Sequence, residues 1–313
     1  MSTIQVQSPG LFTTVQDLGR RGFGPMGLSP SGAADPLSLR LGNRLVGNPD
    51  GAPALEMTLV GGTFLFPDGG VIALAGSDFG ASINDQPLPV WEATKISSGQ
   101  ILRVGPTRSG ARCYLCICGG IQVNSFQGSA STHVLSGLGG FEGRALRKGD
   151  VINIGPASTS FCAKRISPQS VQRLSPRKIL RVTSGPQSDW FQESSQQLFY
   201  ANSYRVTEDS NRMGLRLEGA AIPPHNKGQM ITEGVALGAI QIPDGGQPII
   251  LFVEQQTTGG YPKIANVISA DLPSIGQLRP RDELCFEKVD WETARTLFRE
   301  QEEVMASKEL VLE

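Results

Sequence analysis

A chain of 313 residues with 39% hydrophobic and 18% charged side chains can bury one large core or two medium ones, and this balance excludes a disordered protein. Lys and Arg number 28 against 29 Asp and Glu, and no basic run is dense enough to neutralise a row of phosphates, so nucleic-acid binding is excluded. No stretch approaches the roughly 18 apolar residues of a membrane span, and the N-terminus lacks the basic start and apolar run of a secretory signal; both point to the cytoplasm and away from the membrane.

The 38 glycines and 21 prolines cut the chain into short apolar runs. In chain order these are Thr63–Phe66, Val71–Ala75, Ile101–Val104, Tyr114–Ile117, Val151–Ile154, Leu180–Val182, Ala239–Ile242, Ile249–Val253 and Leu284–Phe286. Many short strands joined by tight turns predict an all-β protein, a sandwich or a barrel. Helical spacing is confined to three places. Asp35-Pro36 caps and opens a helix with Leu37, Leu41 and Leu45 on one face and Gly47-Asn48 as its stop. A second helix is expected from about Ser188, carrying Trp190, Phe191, Leu198 and Phe199. A third is capped by Asp290, with Trp291, Ala294, Leu297 or Phe298, and Met305 on its apolar face. The polar stretch 157–178 reads as a linker, giving an N-terminal lobe over 1–156 and a C-terminal lobe over 179–313.

Of five cysteines, three lie in Cys113-Tyr-Leu-Cys116-Ile-Cys118, an otherwise apolar strand. A zinc site needs a second ligand pair, and Cys162, Cys285, His133 and His225 supply none at paired spacing, so no metal is expected and the thiols read as core residues.

Two segments hold more polar functionality than their turns require. In Thr13-Thr-Val-Gln-Asp-Leu-Gly-Arg20, the side chains of Gln16, Asp17 and Arg20 offer an acceptor and a fork of donors to a carboxylate or amide, with a turn cap as the alternative for Asp17. Glu56 lies inside the apolar strand around Leu55 and must be paired or protonated, either against an arginine such as Arg20 or as a site residue. In Glu254-Gln-Gln-Thr-Thr-Gly-Gly-Tyr-Pro-Lys263, an acid, amides, hydroxyls, a phenol and an ammonium surround a Gly-Gly turn at a strand end. Candidate catalytic groups are Asp17, Glu254 and Lys263; candidate substrate-binding groups are Gln16, Arg20, Glu56, Gln256, Thr257, Thr258 and Tyr261. The bland alternative pairs Lys263 with Glu254 across the turn. Glycines around Gly128-Ser-Ala-Ser-Thr-His133 and Gly139-Gly-Phe-Glu-Gly-Arg144 match neither a P-loop nor a Rossmann fingerprint.

The segments TTVQDLGRRG, SGAADPLSLRLGNRLVGN, ALEMTLVGG, GSAST, GGFEGRALRKGD, NRMGLRLEG, EGVALGAIQIPDGGQPIIL and QQTTGGYPKIANVISADL run in order over nearly the whole chain. Together they resemble the family of the 5-oxoprolinase C subunit, also described as urea amidolyase-related or allophanate hydrolase subunit 2. The resemblance implies two cyclophilin-like β-barrel lobes and a chain that is inactive alone. With a kinase-inhibitor-like B subunit plus an A subunit it would open the small molecule 5-oxoproline to glutamate at the expense of ATP. The alternatives it implies are a carboxyltransferase component of a biotin-dependent urea or amide carboxylase, the only reading that needs biotin, and a regulator that binds a kinase-inhibitor-like partner. Three positions depart from the family pattern: Glu254 stands for a common Asp, His133 for an Asp, and Arg281 replaces the glycine of a Pro-Gly-Asp turn, which predicts a changed turn.

Overall fold

The computed structural model describes residues 2–157, 163–225 and 230–312. The protein is mostly β, and the chain divides into two compact units: Met1–Arg20 with Ser31–Leu174 and Ser307–Glu313, and Arg21–Pro30 with Ser175–Ala306. Cys162 lies outside the described residues.

The first unit holds two large sheets and a two-stranded one. One has five strands in the order Phe12–Gln16, Ala54–Thr58, Arg112–Ile117, Gly70–Gly76 and Ala93–Ile96. The other has seven and includes Ser2–Ser8, Thr63–Phe66 and Val151–Ile154. Strict alternation of buried and less buried residues in Thr63–Phe66 and Val151–Ile154 sends one face of that sheet into a core of Ile4, Phe64, Phe66, Ile152 and Ile154. Arg112–Ile117, by contrast, is buried at every position. Its Cys113, Leu115 and Ile117 join this core, while Cys116 lies against the helix Pro36–Leu45. Gly42 makes that approach possible, because a Cβ there would stand 2.6 Å from the Cys116 sulfur. Burial pushes the Cys113 and Cys116 thiols well above their ordinary range, in keeping with packing groups rather than nucleophiles. The helix starts where its sequence predicts, with the Asp35 carboxylate accepting from the Ser38 backbone N–H at 3.1 Å. Within 157–178, Arg165–Ile166 pairs with Val311–Leu312, and Ser167 caps a short helix, Pro168–Arg173.

The second unit closes seven strands into a barrel, in the order Ile179–Ser184, Lys263–Val267, Ala239–Gln241, Ile249–Leu251, Gly214–Gly219, Tyr204–Val206 and Glu283–Lys288. Closure leaves no strand edge to template association. Phe199 and Phe286 stack with centroids 4.6 Å apart, and Tyr204 packs tilted against both. The predicted second helix is broken: a single 3-10 turn, Ser188–Trp190, precedes the helix Glu193–Ala201. The third, Trp291–Ala306, begins at Asp290, which accepts from Thr293 N–H at 2.7 Å. It buries Ala294, Val304 and Met305 and leaves Trp291 71% exposed, so Trp291 lies off the face that meets the core although Ala294 in the same turn is on it. Among the described residues no helix is long and apolar enough to cross a membrane.

The turn expected to change at Arg281 keeps the conformation that glycine favours. Arg281 sits at φ +72°, and Asp282 closes the turn by accepting from Arg279 N–H at 2.9 Å. A left-handed conformation costs a non-glycine residue about 1–2 kcal/mol, and the exposed Arg281 to Glu208 ion pair returns little of it. Arg281→Gly is therefore expected to raise stability by about 1 kcal/mol after the added chain entropy of glycine is subtracted, read as a shift in the urea midpoint without a change in slope.

Candidate functional site

In the first unit the polar turn is organised by one carboxylate. Asp17 Oδ1 accepts from Gly19 N–H at 2.7 Å, Ser129 Oγ–H at 2.6 Å and Ser131 Oγ–H at 2.5 Å, and Oδ2 accepts from Ala130 N–H at 2.6 Å. The hydroxyls of Ser129 and Ser131 thus serve Asp17, while that of Thr132 donates to the Val15 carbonyl. Arg20 is buried, donates to the carbonyls of Ser131 and Phe126, and lies 5.8 Å from the Phe126 ring centroid. The Gly139-Gly140 pair closes on the same segment, since a Cβ at either position would collide with Ser131 or Thr132. Gln16, fully buried, donates to Thr14 Oγ1 and to the Thr132 carbonyl, while its Oε1 has no hydrogen-bond partner among the described residues. Gln16, Asp17 and Arg20 all meet the segment 126–132, whose Ser129 and Ser131 were not among the candidates and whose only signal was the small-residue run.

Glu56 stands in a different network. Its Oε2 accepts from Tyr114 O–H at 2.7 Å and Ala34 N–H at 2.8 Å, and the Tyr114 oxygen accepts from Asp35 N–H at 2.8 Å. Burial, and then the neighbouring Glu56 carboxylate, hold the phenol well above its usual range, so it stays a neutral donor. Glu56 thereby anchors the start of the helix Pro36–Leu45. His133 caps the 3-10 turn Val134–Ser136, with Nδ1 accepting from Ser136 N–H.

In the second unit Glu254 and Lys263 do not pair with each other. Glu254 lies 2.5 Å from Arg212 Nε, both side chains buried, and its N–H donates to the Arg212 carbonyl. Lys263, 3% exposed, instead meets Glu233, with Nζ 2.5 Å from Oε1. Glu233 also accepts from Gln187 Nε2 at 2.9 Å, and the Lys263 contact, followed by that hydrogen bond, holds its carboxyl below the ordinary range. Glu233-Gly234 pairs with Thr258-Gly259, and the Thr257 carbonyl accepts from Val235 N–H, so this short ribbon brings Glu233 to Lys263. Gln255 Nε2 donates to the Val235 carbonyl and its Oε1 is left without a hydrogen-bond partner among the described residues. Gln256 and Thr258 are exposed, Thr257 is half-buried, and Tyr261 presents its ring to solvent at 47% exposure.

Across the barrel sheet, Gln241 is the register partner of Lys263 and is 1% exposed. Its Oε1 accepts from Gln256 Nε2 at 3.2 Å. Arg212, Glu233, Gln187 and Gln241 were missed by sequence reasoning; Arg212, Glu233 and Gln241 sit in segments already singled out, and Gln187 carries no local signal. Two clefts, of about 460 Å³ beside Arg205, Glu218 and Glu283 and about 190 Å³ beside Asp78 and Arg108, contain none of the predicted site residues. Among the described residues no group of three or more His, Cys, Asp or Glu is placed to hold a metal ion.

What the arrangement offers chemically is a buried ammonium and amides at a strand end, suited to an acceptor oxygen such as that of a carboxylate, a lactam or a urea. Residues 26–288 match the family model of the carboxyltransferase domain, subdomain A and B. The chain is 38% identical over 277 residues to the C subunit of the 5-oxoprolinase of Escherichia coli strain K12, covering 88% of this chain and 87% of that protein. It is 34% identical over 328 residues to urea amidolyase of Saccharomyces cerevisiae, covering 98% of this chain but 18% of that protein. The crystal structure of the Kluyveromyces lactis urea amidolyase superposes with a TM-score of 0.90 at 32% identity, over 99% of this chain and 21% of that one, so the chain spans about a fifth of that protein.

Removing one member of the Arg212–Glu254 pair leaves the other charge buried without its counterpart. Arg212→Ala is expected to cost about 3–5 kcal/mol in chemical denaturation, whereas Arg212→Met combined with Glu254→Leu recovers most of that loss. Equal stability of the single and double variants would show that the pair is not what holds the turn.

Proposed function

Because the chain belongs to the family of the carboxyltransferase domain, subdomain A and B, we propose that it works as the C subunit of a 5-oxoprolinase: a cytoplasmic component, inactive alone, of an ATP-dependent complex that opens the cyclic amide of 5-oxoproline to glutamate. The observation that carries this reading is the near full-length match to a 5-oxoprolinase subunit, joined to a buried lysine and amide groups at the Glu254–Lys263 turn. The A and B subunits of that enzyme are the partners.

Lys263 binds the substrate carboxylate or the lactam oxygen, and its ammonium stabilises negative charge growing on that oxygen. Burial strengthens the effect, since a desolvated ammonium attracts an anion more than a hydrated one. Thr257, Thr258, Gln256 and Tyr261 line the same turn and orient the ring. Asp17 and Glu254 act as positioning groups, because their carboxylates already serve four donors in one case and Arg212 in the other. Gln16, Arg20 and Glu56 likewise hold backbone in place. ATP supplies activation of the amide oxygen in the assembled complex.

A second reading, a carboxyltransferase component of a biotin-dependent urea carboxylase, is favoured by the TM-score of 0.90 to the urea amidolyase structure. The same turn would then receive a carboxylated biotin carried by a partner and an amide acceptor. That protein is several times longer than the matched region, so its activity includes parts that lie outside the match.

Co-expression with the A and B subunits should give 5-oxoproline-dependent ATP hydrolysis and glutamate release. Lys263→Ala should lower kcat by about 100-fold or more, the usual scale for loss of a group that stabilises developing charge. Glu254→Gln, which keeps a hydrogen bond to Arg212, should lose much less. A fully assembled complex with no turnover would overturn the proposal, and urea-dependent activity with a biotin carrier would establish the second reading.

A further inference from the structure

Gln241 is a buried amide whose hydrogen bonding is half complete. Its Oε1 accepts from Gln256 Nε2, while Nε2 has no hydrogen-bond partner among the described residues although the side chain is 1% exposed. A buried N–H without an acceptor costs about 1–3 kcal/mol, so a folded protein retains one where something else fills the role. Two further observations say what that is. Gln241 and Lys263 are register partners at a β-bulge between neighbouring strands, and the Gln241 amide lies against Gly259, the register partner of the Glu233 whose carboxylate meets Lys263 Nζ. And the chain makes room for the amide: a Cβ on Gly259 would stand 2.4 Å from Gln241 Nε2, closer than to any other atom, although the backbone at Gly259 is not in the left-handed region.

We infer that Gln241 is a substrate-binding residue, its amide N–H donating to a carbonyl or carboxylate oxygen of the ligand beside the Lys263 ammonium. The inference deepens the reading of the Glu254–Lys263 turn given above and rests on it for the substrate. An amide and an ammonium together suit an oxygen that carries partial or full negative charge: the ammonium supplies attraction and the planar amide supplies direction. Glu233 is the internal carboxylate that Lys263 holds meanwhile. Being 45% exposed, it can yield to a ligand carboxylate at little cost in desolvation.

The test uses two variants in the assembled three-subunit complex. Gln241→Leu removes the donor at similar volume, and Gly259→Ala keeps the glutamine but displaces its amide. Both should raise the KM for 5-oxoproline about tenfold, the scale of one lost hydrogen bond to a charged group, and leave the KM for ATP unchanged. An unchanged 5-oxoproline KM in both variants, or an equal rise in both KM values, overturns the inference while leaving the 5-oxoprolinase reading standing. The full chain alone supplies the independent arm. The side-chain amide resonance of Gln241, identified by its loss in Gln241→Leu, should shift saturably on titration with 5-oxoproline, urea or acetate. A shift with acetate assigns the oxygen to a carboxylate, and a shift with urea assigns it to an amide carbonyl. Silence with all three overturns the inference. A wild-type complex that fails to turn over 5-oxoproline, with a saturable Gln241 shift, removes the proposed reaction and keeps the subsite.

Discussion

A carboxylate at the end of a buried strand must be met by donors or by a cation, and this constraint shapes both polar turns of the protein. Asp17 follows the strand Phe12–Gln16 and gathers two backbone N–H groups and two serine hydroxyls around itself. Glu254 follows the strand Ile249–Leu251 and meets Arg212. The two solutions differ in kind. Neutral donors spread the charge of Asp17 over a loop and thereby fix that loop, whereas the guanidinium neutralises Glu254 at a single point and leaves the rest of its turn open. Openness is what a binding turn needs, and the exposed Gln256, Thr258 and Tyr261 lie just beyond that point.

Strands and helix starts were legible because each is written in neighbouring residues. Thr63–Phe66 and Val151–Ile154 form where alternation predicts them, and Asp35 and Asp290 cap helices that the spacing of apolar residues announces. The broken helix after Ser188 shows the limit: Trp190 and Phe191 fit a helical face, yet Gln192 adopts an extended conformation between the two helical pieces. Trp291 shows another, since period alone cannot say which edge of an apolar stripe meets the core.

Partner choice was the least legible feature of the candidate site. The turn Glu254–Lys263 contains an acid and a base at close spacing, so local reasoning pairs them. The fold instead supplies Arg212, 42 residues upstream of Glu254, and Glu233 from the ribbon that crosses Thr258-Gly259. Both choices follow from strand pairing and closure of the barrel, which a linear reading does not contain. Glu56 illustrates the same point in the first unit: a buried acid was recognised as needing a partner, but the answer included a tyrosine hydroxyl and a backbone N–H at a helix start. The family resemblance was legible for the opposite reason, because it rests on the order of short segments and needs no knowledge of which side chains meet.

Lys263 and Glu254 show how two buried charges on one turn divide their tasks. The partner of Glu254 is itself buried, so neither charge has water as an alternative partner. The partner of Lys263 is half exposed, so its carboxylate has water as an alternative and the ammonium can change hands. A fixed ion pair beside an exchangeable one, on a turn whose glycine admits the Gln241 amide, is the arrangement expected where a chain must hold its own backbone still and yet release a cation to an incoming oxygen. The methylene that Glu254 adds over an aspartate lengthens the fixed member of the pair and leaves the exchangeable one untouched, so this departure from the family pattern bears on the anchoring of the turn rather than on Lys263.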